Sequence, residues 1–169
     1  MKTGQSEAAV PLSLRPAGPD DDAFLFYLYA STRAAEMALV AWDTAQKESF
    51  LRMQFDAQQS HYQTAFPQAD HDIILADDKP IGRLYVDRSG AEIRLLDITI
   101  VPEKRNNGVG TAFIEKLKGE ARQKGVPVRF YVWQLNQAAY RLYRRLGFSQ
   151  AGEAGAYLLM EWWPDPQSD

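Results

Sequence analysis

The stretch Arg105-Asn106-Asn107-Gly108-Val109-Gly110-Thr111 joins a cation, short polar side chains and two glycines. It follows the apolar run "IRLLDITIV" and runs into Val109, Phe113, Leu117 and Ala121 at helical spacing. Glycines allow close approach to the backbone, and a helix start offers unpaired N–H groups and the positive end of its dipole. The loop therefore has the chemistry of an anion cradle. It is neither of two familiar phosphate loops. A dinucleotide fingerprint needs a third glycine where Phe113 stands, and no Gly-Lys-Ser/Thr run occurs. Asp97 is the second candidate. Set inside the apolar "LLDITI", its carboxylate must be paired, solvated or functional.

The elements that position these residues follow from pattern. "LSLRPA" is a short first strand stopped by Pro16, Gly18 and Pro19, and "DDDAFLFYLYASTRAAEMAL" has the acidic head and amphipathic body of a helix. A second helix is expected from Thr44 to about His61. "HDIILADDKPIGRLYVDRSGAEIRLLDITIV" reads as three strands with turns at "DDKP" and "DRSG". After the loop come a helix from about Asn107 to Lys124, a strand Val128–Trp133 and a compact helix "NQAAYRLYRRLGF" with Gly147 as its C-cap. A hairpin turning at Ala154–Gly155 follows. The expected organisation is a tail over 1–10, one domain over 11–163 and a tail over 164–169.

Composition narrows the function. With 169 residues, 46% of them hydrophobic and 24% charged, the chain has an ordinary globular make-up. A net charge of −3 leaves no excess of cations for nucleic acid. Without cysteine there is no disulfide, thiolate zinc site or cysteine nucleophile. No apolar run reaches membrane-spanning length and no signal-peptide core is visible, so a cytoplasmic protein is expected. His61 and His71 lack companions at ligand spacing, so no metal is expected.

Two motifs carry a family resemblance. Arg105, Gly108 and Gly110 fit [Q/R]-x-x-G-x-[G/A]; Asn136, Ala139, Leu142, Tyr143, Gly147 and Phe148 fit N-x-x-A-x-x-L-Y-x-x-x-G-F at every fixed position. Over about Leu84 to Trp163 the chain resembles the GCN5-related N-acetyltransferase (GNAT) superfamily. The resemblance implies an α+β fold: a mixed, mostly antiparallel sheet of about six to seven strands, about four flanking helices, and a splay between the fourth and fifth strands. It implies acetyl-CoA as co-substrate and transfer of the acetyl group to a primary amine of a small molecule or peptide. Backbone amides from Arg105 through Asn106, Asn107, Gly108, Val109 and Gly110 to Thr111 would wrap the pyrophosphate. The strand edge near Ile100 and Val101 would pair with the pantetheine arm, and Asn136 would hydrogen-bond it, cap the last helix, or do both.

The same resemblance places Tyr143 at the coenzyme sulfur, where a phenol of pKa ~10 is matched to a departing thiolate. Tyr140 is a core tyrosine or a groove residue. The base is open. The strand Val128–Trp133 has no acid, and Tyr131 and Trp133 take its site-facing positions. Asp97 is either the base or a partner of Arg94 or Arg83; Glu92 and water are the alternatives. That missing acid also supports a second reading, a non-catalytic acyl-CoA sensor on the same fold. Arg33, Glu36, Trp42, Gln46, Gln54 and Asp56 are expected on the acceptor side. "MEWWP" reads as an apolar strand end, with a homodimer contact as the alternative.

Overall fold

The apolar runs become seven strands of one sheet in the computed structural model, which describes residues 10–166. Most of the expected tails, residues 1–9 and 167–169, lie outside the described residues; 163–166 carry no regular structure. β1 (Leu12–Pro16) ends where proline can no longer donate to a ladder. A 3₁₀ turn at Pro19–Asp21 leads into α1 (Asp22–Ala38). Asp21 fastens this corner: Arg15 donates to both its oxygens at 2.8 Å, and the Gly18 N–H to one of them at 2.8 Å.

α2 (Thr44–Ala65) starts on a reciprocal cap. Asp43 accepts from the Gln46 amide at 2.8 Å while the Gln46 side chain accepts from the Asp43 amide at 3.0 Å. It runs past His61, the expected end, because nothing breaks the pattern before Phe66, which precedes Pro67.

β2 (Asp70–Ala76), β3 (Lys79–Asp87) and β4 (Ile93–Ile100) form the expected antiparallel meander. Asp77 and Asp78 make the first turn with φ of 49° and 60°, a two-residue geometry that matches strand twist. β3 is buried continuously from Ile81 to Val86, so both its faces are covered. Then α3 (Val109–Lys124), β5 (Val128–Trp133), α4 (Gln137–Arg145), β6 (Ser149–Ala154) and β7 (Tyr157–Trp162) complete the chain.

The sheet order is β1-β2-β3-β4-β5-β7-β6. Its one parallel pair is β4 with β5, and that ladder holds only Ile93 against Val128 and Arg94 against Arg129. The mixed, mostly antiparallel sheet expected from the sequence is thus present, with seven strands and four α-helices among the described residues. α1 packs on β3 and β4, α3 on β4 and β5. One core joins Leu28, Phe55, Ile93, Ile114, Leu117, Phe148 and Met160. Among the described residues no helix is long and apolar enough to cross a membrane.

His71 on β2 stacks flat on Tyr85 of β3, centroids 4.2 Å apart, with its Nε2 buried and unpartnered. Burial first, then the positive charge of Arg83, lower its pKa from 6.5 to about 4, against opposing pulls from Asp97 and Asp21. The unfolded chain therefore takes up this proton near 6.5 and the folded chain only near 4. Stability from this group is whole above that window and falls as pH drops through it, by about 3 kcal/mol at most. Urea unfolding at pH 7 and pH 4.5 should show this loss, and His71→Phe, which keeps the stacked ring, should remove most of it.

Candidate active site

Beyond Arg94 and Arg129 the strands β4 and β5 part, and a cleft of about 510 Å³ opens between them. Leu95 to Thr99 form one wall and Phe130 to Trp133 the other; α1 closes it with Tyr29, Thr32 and Arg33, and α4 with Asn136, Ala139 and Tyr143. The neck is clasped by charge. Glu92 accepts from Arg94 at 2.6 Å and from Arg129 at 2.8 Å, and Arg129 also reaches Glu161 at 2.6 Å. Burial alone would raise the Glu92 pKa, but the hydrogen bonds from Arg129 and Arg94 hold it below the ordinary value. Glu92 is not among the residues lining the cleft. It serves the neck.

The glycine loop lies at the far end of β4. Val101 still pairs with β3, its N–H donating to the Ile81 carbonyl at 2.8 Å, so the chain leaves the sheet only afterwards. Asn106 and Gly108 take left-handed conformations with φ of 61° and 79°. That reversal moves the helix start to Val109, two residues later than expected. The first helical bond runs from the Ala112 N–H to the Gly108 carbonyl at 3.0 Å, which leaves the amides of Val109, Gly110 and Thr111 without intrahelical partners.

Gly108 is required by its φ. Gly110 is not: it is helical, and a Cβ there would meet nothing nearer than Ile98 Cδ1 at 4.0 Å. The space a side chain would fill is left open at the helix start. Ile98 also lines the cleft, so loop and cleft adjoin. Arg105 stands at the loop but folds back, donating to the Ile100 carbonyl at 2.9 Å and to Ser31 Oγ at 2.8 Å. It ties the loop to α1.

α4 carries the tyrosines. Asn136 is its N-cap, accepting from the Ala139 amide at 3.1 Å, and its exposed side chain also lines the cleft. Gly147, with φ of 90°, ends the helix and sends Phe148 into the core. Tyr143 packs on Phe130 at 4.3 Å and Phe148 at 6.1 Å, and its hydroxyl has no protein partner among the described residues. Burial, followed by the negative charge of Asp97, pushes its pKa up to about 12. Tyr140 packs against the core and is not among the cleft-lining residues.

Asp97 faces the cleft, held from behind. Register places it opposite Tyr85, so it shares a face with Arg83. Arg83, 2% exposed, donates to Asp97 Oδ2 at 2.8 Å through Nε, and its other nitrogens bond Gln59 at 2.7 Å and Gln58 at 2.9 Å. Thr99 Oγ1 donates to Asp97 Oδ1 at 2.8 Å. Of the two arginines considered, Arg83 is the partner; Arg94 belongs to Glu92. A bulge at Leu96 offsets the register here, and Tyr62 donates to the Leu96 carbonyl at 3.0 Å. No local pattern announced Gln58, Gln59, Thr99 or Tyr62.

The acetyltransferase (GNAT) family model matches residues 32–148, more than half of the chain. The chain belongs to the GNAT family. Its fold is shared by solved structures of low sequence identity. The PaiA N-acetyltransferase of Thermoplasma acidophilum in complex with coenzyme A is 18% identical, with a TM-score of 0.68 over 91% of this chain and 99% of that one. An acetyltransferase from Thermus thermophilus is 18% identical, with a TM-score of 0.66 over 92% and 99%. The ribosomal-protein-S18-alanine N-acetyltransferase of Escherichia coli is 16% identical, with a TM-score of 0.61 over 94% and 97%.

In this GNAT domain a side pocket of about 530 Å³ adjoins the cleft and shares Arg33, Glu36, Trp133 and Tyr157 with it. It gathers four of the residues expected on the acceptor side: Arg33, Glu36, Trp42 and Gln54. Gln46 lines a shallower hollow beside Trp42 and Phe50, and Asp56 is drawn to Arg52 at 3.1 Å. Tyr157, absent from the sequence reading, arrives through its pairing with Trp133. In "MEWWP", Met160 is fully buried and Trp162 packs on the core under Lys118 and Arg122, each 5.0 Å from its ring; Trp163 is 54% exposed. Among the described residues no group of three or more His, Asp or Glu is placed to hold a metal.

Removing one partner of a buried ion pair strands the other. Asp97→Ala leaves the Arg83 guanidinium facing two amide oxygens and should lower unfolding stability by about 3–5 kcal/mol. Adding Arg83→Met to it should cost little more, because the stranded charge is gone. Strict additivity in a double-mutant cycle by urea unfolding would mean that the two side chains are not coupled.

Proposed function

We propose that the protein is an acetyl-CoA-dependent N-acetyltransferase acting on a primary amine of a small molecule or peptide. The observation that carries this is an open, glycine-bearing helix start that adjoins, at Ile98, a cleft lined by an unpartnered, proton-bearing phenol. The free amides of Val109, Gly110 and Thr111 suit the pyrophosphate of coenzyme A, and the gap above Gly110 accepts it without displacing a side chain. The parted edge of β4 near Ile98 to Val101 offers main-chain groups to the pantetheine, and the Asn136 amide nitrogen, left over from capping, offers one more. Arg105 contributes positive charge from its place on Ile100 and Ser31.

Acetyl-CoA supplies an activated thioester; the side chains manage protons. Bond formation between the amine nitrogen and the acetyl carbon breaks the carbon–sulfur bond, and the thiolate needs one proton. Tyr143, kept protonated by a pKa near 12, holds that proton at its hydroxyl. An amine of pKa ~10.4 costs about 4.6 kcal/mol to deprotonate at neutral pH. Asp97 receives that proton directly or through water, its orientation fixed by Arg83 and Thr99. The second reading, a non-catalytic acyl-CoA sensor, draws support from the same carboxylate: both its oxygens are bonded, and β5 presents no acid. Release of free thiol from acetyl-CoA with a mixed amine panel favours the enzyme; tight binding without release favours the sensor.

Gly110→Glu puts bulk and negative charge over the free amides at a helical φ that tolerates a side chain. Calorimetry should find acetyl-CoA binding abolished while circular dichroism stays native, and unchanged affinity would remove the loop from the coenzyme site.

Tyr143→Phe keeps the ring against Phe130 and deletes the proton. The rate constant should fall roughly 10²–10⁴-fold, with coenzyme affinity altered by ~1 kcal/mol or less. An acetyl donor with a low-pKa aryl thiol leaves without an acid, so wild type and mutant should use it nearly equally. Equal loss with both donors would assign Tyr143 to substrate positioning.

A further inference from the structure

The cleft arginines are not equally satisfied. Arg83 spends its donors on Asp97, Gln58 and Gln59, and Arg94 and Arg129 share Glu92 and Glu161. Arg33 stands where the cleft opens into the side pocket, and among the described residues its one carboxylate contact is Glu36, at 3.5 Å. Its Nε is buried without a partner, and its guanidinium lies over the Tyr29 ring, 5.3 Å from the centroid. The side chain is 31% exposed, so water satisfies it only in part. A planar, half-buried guanidinium with spare donors suits an incoming carboxylate, which it can bind through two parallel hydrogen bonds.

Four aromatic rings share the rest of the pocket with Glu36, Met37, Val40 and Gln54. Trp133 and Tyr157 stand side by side as a cross-strand pair, and Trp42 meets Phe50 edge to face at 5.2 Å on the other side. Glu36 is the competing recognition element, since it could hold a second ammonium. It is 44% exposed and lies in the field of Arg33, which disfavours another cation beside it.

We propose that this side pocket is the acceptor subsite and that it selects an amine also bearing a carboxylate and an aromatic body, with Arg33 binding the carboxylate. The inference rests on the acetyl-transfer reading above and names the substrate class of that site. The aromatic rings cover the flat body, and Arg33, at the junction of pocket and cleft, turns the end that bears the carboxylate towards the cleft.

The test compares L-phenylalanine, L-phenylalaninamide, 2-phenylethylamine and 1,4-diaminobutane. Thiol release from acetyl-CoA is measured for each, and calorimetric binding is measured with coenzyme A present. Wild type should prefer the carboxylate to its amide roughly 10-fold or more, the worth of one charge-assisted pair. Arg33→Met should collapse that ratio towards one, chiefly through KM, and Arg33→Lys, which keeps the charge without the fork, should give an intermediate ratio. A wild-type ratio at or below one, a ratio unchanged in both variants, a preference for the diamine, or no binding of the carboxylated amine overturns the proposal. Discriminating binding without any thiol release would sink acetyl transfer and leave the subsite standing. Thiol release without discrimination would sink the subsite alone.

Discussion

The structure depends on where β4 and β5 stop pairing. Two residue pairs hold them together, and the Glu92–Arg94–Arg129–Glu161 cluster sits at that junction. Past it the edges diverge, and backbone groups that a continuous sheet would pair are left for water or a ligand. The groups with chemistry hang on one side or the other of this gap. Asp97 comes from β4, Tyr131 and Trp133 from β5, and Tyr143 from the helix that follows β5. Closing the ladder by a few more residues would erase the cleft without altering a single helix.

A charge buried beside that gap has to be matched completely. Arg83 is tolerated in the core side of β3 because Asp97, Gln58 and Gln59 take its donors. The arrangement fixes the direction of the Asp97 carboxylate and draws α2 onto the sheet in the same stroke. Thus one ion pair links the helix layer, the bulged strand and the cleft wall. Arg33, on the opposite side of the cleft, lacks such matching, and that difference separates a structural arginine from one with donors to spare.

The glycine loop illustrates two distinct demands. Gly108 answers a backbone demand, since its φ of 79° turns the chain from strand to helix. Gly110 answers a spatial one, since it leaves open the space beside Ile98 that a side chain would take. Arg105 ties the start of the loop to the end of β4 at the Ile100 carbonyl and to α1 at Ser31.

The sequence by itself determined the order of elements, the position of the glycine loop between β4 and α3 and the Gly147 stop, and it left Asn136 as a coenzyme ligand, a helix cap, or both. These depend on spacing within a few residues, on the φ that glycine permits and on the donors a helix start leaves free. It also narrowed Asp97 to three roles, because a lone carboxylate in an apolar strand has few options. It left the end of α2 four residues short, because helix pattern fades towards a terminus while the true stop is the residue before Pro67. Tertiary structure decided the remainder. Whether Asp97 meets Arg83 or Arg94 turned on the register of β3 with β4 and on the bulge at Leu96. Glu92 became a clasp because β5 brings Arg129 beside it across an intervening helix. Tyr157 reached the side pocket only through its pairing with Trp133. Each of these contacts joins residues far apart along the chain, and their energies are settled by burial and strand register, which local spacing does not encode.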